Sequence, residues 1–147
     1  MRILLLALAL LSSQSLYAKD LYMIRSELSF PETMSILQEI IKKHGYQVSR
    51  VQRVDIGLTK SGYKTDMYRV VFFGKPDEVR EISERYTELV PYIPLKISIF
   101  AENDETIVLA ASFNHLRSAY PDKKLNKYFD RWESDIQTML EYVRIAD

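Results

Sequence analysis

Few residues in this sequence could do chemistry. It contains no cysteine and only two histidines, His44 and His115. A Cys-His nucleophile is therefore excluded, and no nucleophile-elbow glycine pattern supports a Ser-His-Asp triad. Neither histidine stands at metal-ligand spacing from a second histidine or a carboxylate cluster. His44 falls at the predicted end of a helix, where an imidazole caps carbonyls, so we interpret it as structural. His115 falls in a predicted loop and is the weak candidate for a metal or acid-base role.

A second set of candidates comes from two strand patterns that mix cations with aromatic rings. The segment from Tyr68 to Phe73 is rich in β-branched and aromatic residues, which is typical of a buried strand, and Leu95 to Phe100 alternates apolar and polar residues. We predict that Tyr68, Val70 and Phe72 face the helices together with Leu95, Ile97 and Ile99. The remaining large or charged side chains would then form a ligand or partner face: Arg25, Arg69, Phe73, Lys96 and Phe100.

The turn Gly74-Lys75-Pro76 leads from the first of these strands into a predicted helix. Gly74 allows a positive φ, and Pro76 presets the first helical turn. The helix N-terminus and Lys75 could attract an anion. A tight structural turn is the better interpretation, because Pro76 removes a donor and the loop lacks the further glycines of a phosphate cradle.

The helices and strands that must position these residues are predicted from the spacing of apolar residues and from capping residues. Ser29 and Glu32 have capping-box spacing before a first helix that should end at Gly45, and the last helix, about 122–145, carries an apolar stripe centred on Trp132. The predicted order is β-α-β-β-α-β-β-α, an α+β fold with an antiparallel or mixed sheet of about five strands and helices on one face. We predict a strand from Tyr46 to Gly57 and loops at Leu58–Asp66 and Asn114–Asp122.

Two short motifs resemble the signature of the domain of unknown function 302 family. They are Val71-Phe72-Phe73-Gly74-Lys75-Pro76 and Ile93-Pro94-Leu95-Lys96-Ile97. In that family a strand ends in Gly-Asn-Pro and a later strand begins with Leu-Pro-Leu-Arg or Leu-Pro-Leu-Lys. The resemblance marks Gly74, Lys75, Pro76 and Pro94 as family-motif turn residues and extends from about Tyr22 to about Leu116. It implies a TATA-binding-protein-like α+β topology and homodimers, but no established chemistry. Many members carry Asp-His where this chain has Asp55-Ile56, so no role of that histidine carries over.

The N-terminus has the order of a secretory signal peptide. Arg2 precedes nine apolar residues and then a polar segment that ends at Ala18. The apolar run is shorter than the roughly 20 residues that span a bilayer. We expect residues 1–18 to be removed and residues 19–147 to form a single domain that is periplasmic or secreted, with no transmembrane segment.

Charge argues against nucleic acid as a partner. The chain has 20 basic and 20 acidic residues, and cleavage after Ala18 would remove one of the basic ones, Arg2. Binding to nucleic acid or an anionic membrane needs a clear basic excess.

These observations favour a non-enzymatic exported domain that binds a partner or small ligand through the predicted face, as a homodimer and without a cofactor. A second subunit, a small anionic or amphipathic ligand, or the C-terminal helix could cover that face. The alternative is an enzyme or a metal or haem carrier that uses His115 with Asp122, Tyr120 or Met67.

Overall fold

The computed structural model describes residues 20–146, which form an α+β fold. The strands are β1 (Leu21–Ser26), β2 (Gln47–Arg53), β3 (Tyr68–Gly74), β4 (Leu95–Glu102) and β5 (Glu105–Ala111). The α-helices are α1 (Phe30–Lys43), α2 (Val54–Lys60), α3 (Pro76–Arg85), α4 (Asn114–Ala119) and α5 (Lys123–Ile145), and a 3-10 helix spans Thr87–Tyr92. The predicted signal peptide lies outside the described residues.

The five strands form one open sheet in the order β1-β5-β4-β3-β2, and every neighbouring pair is antiparallel. β4 and β5 form a hairpin in which Glu102 pairs with Glu105. Asn103 adopts the left-handed conformation at this turn, with φ of 54°, which asparagine tolerates better than most residues. The predicted fold class is confirmed.

The core that the helices cover takes its sheet residues from one face of the sheet, and Ile107 of β5 is buried on the other face. Val71 and Phe73 of β3 and Ile97 and Ile99 of β4 are fully buried in this core, together with Val108 of β5. Helix α5 contributes a stripe of buried side chains at spacings of three and four, as predicted from its periodicity: Leu125, Phe129, Trp132, Ile136, Met139, Leu140 and Val143.

Local sequence signals explain where the two long helices begin and end. The backbone N–H of Ser29 donates to the Glu32 carboxylate at 3.1 Å, so the predicted capping box of α1 is confirmed. Gly45 follows α1 with φ of 77°, a conformation that costs glycine little. The Asp122 side chain accepts hydrogen bonds from the backbone N–H groups of Lys124 and Leu125, at 2.7 and 3.0 Å, which caps α5.

Two short helices replace segments that the sequence assigned differently. Val54–Lys60 forms α2, where we predicted the end of a strand and a loop, and Asn114–Ala119 forms α4, where we predicted a loop. Helix α2 has no buried residue and α4 has one, Leu116. Neither helix has a capping side chain, so neither offers the apolar period or the cap by which a helix is recognised in sequence.

Candidate functional site

The side chains of β3 that point toward the helices are the ones that we predicted to point away from them. In the β3–β4 register, Arg69 pairs with Ile99, and Val71 pairs with Ile97. Paired residues on neighbouring strands point to the same side of a sheet. Since Ile97 and Ile99 are fully buried under the helices, Arg69 and Val71 face the helices as well.

Phe73 shares that inward face. Its ring is fully buried and contacts the Tyr46 ring edge-on, with 5.4 Å between the centroids. Arg69 and Phe73 therefore do not belong to the candidate face. Tyr68, Val70 and Phe72 lie there instead, on the side of the sheet away from the helices.

The opposite side of the sheet, here called the open face, carries rows of side chains that run across the strands. One row joins Arg25, Ile107, Phe100 and Tyr68. The next joins Met23, Leu109, Ser98, Val70 and Gln52. Of the predicted face residues, Arg25, Lys96 and Phe100 lie here.

The open face is largely apolar, and its exposure is greatest at the β1 edge, whereas Ile107 in the middle of the face is 2% exposed. Leu21 and Met23, which alternate with inward residues of β1, are both 55% exposed. Tyr68 and Phe100 contact each other edge-on, with 6.0 Å between ring centroids. Helix α5, one of the predicted covers, packs in the core on the other side. Monomeric proteins rarely leave more than about 300 to 600 Å² of contiguous apolar surface exposed, so a face five strands wide suggests an interaction surface.

The two ends of the open face carry opposite charge. At one end, the Arg25 guanidinium binds the carboxylates of Glu102 and Glu105, at 2.9 and 2.7 Å, which leaves one negative charge in excess. At the other end, Lys96 and Arg50 both lie opposite Phe72, on either side of it. Within residues 20–146 neither of these two cations forms an ion pair. Sequence reasoning missed Glu102 and Glu105, although residues that flank a two-residue turn are expected to pair.

Arg69 has a structural role on the inward face. Its guanidinium binds the Asp55 carboxylate of α2 and lies 5.7 Å from the centre of the Phe30 ring. The hydrogen bond from Arg69 holds the pKa of Asp55 below its usual value. The side chains of Arg69 and Asp55 are 13% and 16% exposed, so this pair fastens α2 to the sheet, and neither charge faces a partner.

The two family-motif segments come together at one end of β3 and β4. A Cβ atom on Gly74 would lie 2.8 Å from Val79 Cγ2 and 3.8 Å from Pro94 Cβ. Gly74 does not adopt the positive φ that glycine allows: among the described glycines only Gly45 and Gly62 have one. Glycine is needed at this position for close approach. The Lys75 ammonium lies 4.7 Å from the centre of the Tyr46 ring, a cation–π contact that supports the structural interpretation of this turn.

The two histidines have different surroundings. His44 follows α1, and its Nδ1 lies 3.0 Å from the Ile40 carbonyl oxygen, as expected for a helix cap. His115 of α4 is exposed, and its ring centroid lies 6.0 Å from that of Tyr92. Sequence reasoning did not single out Tyr92.

His115 and Tyr92 border a cavity of about 200 Å³ between the 3-10 helix, β4, β5, α4 and α5. Its floor is formed by core residues, and its other lining residues are polar or small; together they are Leu95, Phe113, Leu116, Ile136, Tyr92, Lys96, Ala111, Ser112 and His115. The predicted partners of His115, which are Asp122, Tyr120 and Met67, do not line it.

Among residues 20–146, no three His, Asp or Glu side chains are grouped so as to hold a metal ion. The metal or haem alternative for His115 stays a prediction.

Two part-buried tyrosine–carboxylate hydrogen bonds lie on the helix side. The Tyr46 hydroxyl donates to Asp135 at 2.5 Å, and the Tyr22 hydroxyl donates to Glu133 at 2.9 Å. Burial, and then the neighbouring carboxylate, raise the pKa of both phenols. These pairs connect α5 to the sheet and to the segment after α1. We therefore interpret them as contacts that stabilise the fold.

Helices on one side of an open antiparallel sheet, with a partly apolar second side, define a two-layer α+β domain. The family model described as "Domain of unknown function DUF302" matches residues 22–143, and the chain belongs to this family. The fold is similar to that in the crystal structure of an uncharacterized conserved protein DUF302 from Bacillus stearothermophilus. The TM-score is 0.77 at 20% sequence identity, over 86% of this chain and 100% of that chain. At this identity the likeness supports the fold alone. No curated protein matches the sequence.

Within the described part of the chain, no helix combines the length and the apolar character needed to cross a membrane.

Proposed function

We propose that this chain is an exported, non-enzymatic binding domain that associates with a second copy of itself through the open face. The observation that carries the proposal is the apolar character of the sheet side opposite the helix-covered core. Exposed Leu21 and Met23 lie at one edge of that side, and Leu109, Val70 and Phe100 lie across it. Burial of such a surface is the main favourable term in protein association.

A second copy fits the charges of the open face. In a two-fold symmetric dimer both copies use the same surface. If the two-fold axis lies between the sheets and across the strands, the Lys96 end of one copy meets the Glu102 end of the other. These residues are the second and last of β4, about 20 Å apart at about 3.3 Å per residue. Each interface would then hold two symmetric contacts between cations and carboxylates.

Export rests on the N-terminal sequence. Arg2, the apolar run and the polar segment ending at Ala18 have signal-peptide order. Intact-mass measurement of the exported protein checks this, with Lys19 expected as the first residue. A mass that retains residues 1–18 would reject cleavage.

Light scattering coupled to size-exclusion chromatography tests the dimer. The mature chain should run as a dimer at micromolar concentration, and Ser98→Glu should convert it to a monomer. Ser98 lies on β4 in the middle row of the open face, and an uncompensated charge buried at an interface costs about 2 to 5 kcal/mol. The matched control is Ser35→Glu, an exposed position on α1, which should leave the dimer intact.

Both variants should keep the secondary structure of the parent. Ser35→Glu should keep its denaturation midpoint as well, since solvated substitutions change stability by less than about 0.5 kcal/mol, whereas Ser98→Glu should lose the concentration-dependent stabilisation that dimerisation gives. A parent that is monomeric throughout the micromolar range would refute self-association. A dimer that survives Ser98→Glu would place the interface elsewhere.

The predicted antiparallel arrangement has its own test. Lys96→Glu alone should weaken the dimer, and addition of Glu102→Lys to the same chain should restore part of the lost affinity. If the double variant is weaker than Lys96→Glu, these two residues do not meet across the interface.

A further inference from the structure

We propose that the cavity beside His115 binds a small amphipathic monocarboxylate, with its apolar part on the cavity floor and its carboxylate at the rim. The proposal concerns a site separate from the centre of the open face. It rests on the size of the cavity, on the apolar character of its floor, and on the lysine and the neutral hydrogen-bonding groups at its rim.

The size of the cavity limits the ligand. Its volume is about 200 Å³, whereas pockets for drug-sized ligands measure about 300 to 1,000 Å³. An apolar cavity of about 150 Å³ accommodates benzene. One aromatic ring, or a chain of about six to eight carbons, therefore fits here.

The floor accounts for the apolar part of the ligand. Leu95, Phe113, Leu116 and Ile136 line it, and each is at most 8% exposed. These side chains belong to β4, to the segment after β5, and to α4 and α5, so the core of the domain holds them in place. Such a floor offers dispersion contacts and little competition from water for an apolar group.

The rim accounts for the carboxylate. Lys96, His115, Tyr92 and Ser112 line the same cavity. Lys96 is exposed and forms no ion pair within residues 20–146, so its ammonium has no internal carboxylate to neutralise it. Donors from a lysine and a histidine or tyrosine suit a carboxylate, because a hydrogen bond to an ionised acceptor is stronger than one between neutral groups. A ligand with a carboxylate on a short apolar body would therefore place that body on the floor and the carboxylate beside Lys96.

Benzoate is the probe, and isothermal titration or amide chemical shifts report its binding. Saturable binding is expected with a Kd of about 0.1 to 1 mM, the range for a ligand of so few atoms. Benzylamine, which has the same ring and the opposite charge, should not bind, and benzyl alcohol should bind more weakly than benzoate.

Variants separate this site from other anion-binding surfaces. Lys96→Gln combined with His115→Gln should weaken benzoate at least tenfold and leave benzyl alcohol unchanged, which shows that the cavity is still formed. Lys42→Gln, an exposed position on α1, is the matched control and should bind benzoate like the parent.

Lys96 takes part in both proposals, since in the proposed dimer it meets Glu102 of the second copy, so benzoate is also titrated into the Ser98→Glu chain. That chain, in which no second copy engages Lys96, should bind benzoate at least as tightly as the parent, because Ser98 does not line the cavity. Three results would overturn the proposal: no saturable binding of benzoate, equal binding of benzylamine, or unchanged benzoate affinity in the Lys96→Gln His115→Gln chain.

Discussion

Trp132 contacts three aromatic rings and one carboxylate in the helix-covered core. Its removal therefore tests how much these contacts stabilise the core. The side chain is 3% exposed. Its ring lies 5.6 Å from that of Phe113, 5.9 Å from that of Phe129 and 5.7 Å from that of Tyr128, between centroids. Its indole N–H donates to the Glu78 carboxylate of α3. Trp132 therefore connects α5 to α3 and to the segment that follows β5.

The cost of Trp132→Ala has two separable parts. Deletion of a large aromatic side chain from a core costs about 3 to 5 kcal/mol, which is a third or more of the stability of a typical domain, about 5 to 15 kcal/mol. The lost donor leaves a Glu78 oxygen without its indole partner, although the Arg131 guanidinium still binds that carboxylate. Trp132→Phe keeps most of the ring and loses the donor, so it should cost less, about 1 to 3 kcal/mol.

Urea denaturation followed by far-ultraviolet circular dichroism measures both variants. Fluorescence is unsuitable because Trp132 is the only tryptophan in the chain. Tyr142→Ala is the matched control, since Tyr142 lies on the same helix and is 37% exposed; its midpoint should shift far less. The reasoning would be refuted by a Trp132→Ala midpoint within error of the parent, or by equal losses for Trp132→Ala and Tyr142→Ala.

Two further predictions concern the turn and the inward ion pair. Gly74→Ala should destabilise the fold by about 1 to 3 kcal/mol, because the new Cβ would overlap Val79. Gly57→Ala, whose Cβ meets no atom within 4 Å on α2, should be neutral or stabilising by up to about 1 kcal/mol; equal urea midpoints for the two variants would contradict the close-approach argument. Asp55→Asn should destabilise the parent at neutral pH, and the difference should shrink on acidification. The Arg69 hydrogen bond lowers the folded pKa of Asp55, so its stabilisation is present above the unfolded value of about 3.9 and is lost as pH falls through the folded value. A difference in urea midpoint that stays constant down to about pH 2 would show that this pair is not the cause.

Periodicity and capping signals in the sequence identified the helices that bury a continuous stripe of apolar side chains. The α5 stripe, the Ser29 cap and the Gly45 stop could be predicted because each is a local pattern with a local physical cause. Helices α2 and α4 could not, because each buries at most one side chain. The cavity that His115 borders could not be predicted either. Its lining residues come from segments as far apart as Tyr92 and Ile136, and no sequence pattern brings these segments together.

The facing of β3 shows how one misassigned segment changes a predicted surface. Period-two alternation identifies the residues of a strand that share a side. It does not identify the side that packs against the helices. Placing Tyr68, Val70 and Phe72 inward put Arg69 outside, although a charged side chain can be buried where it has a partner. That partner is Asp55, which we had assigned to a strand and which lies in the first turn of α2. With α2 recognised as a helix, Arg69 would have had a nearby carboxylate, and the fully apolar set of Val71 and Phe73 could have been placed inward. The open face then follows as the side with Tyr68, Val70 and Phe72. Its cations are Lys96, Arg50 and Arg25, and of these the charge-reversal experiment on the dimer changes Lys96.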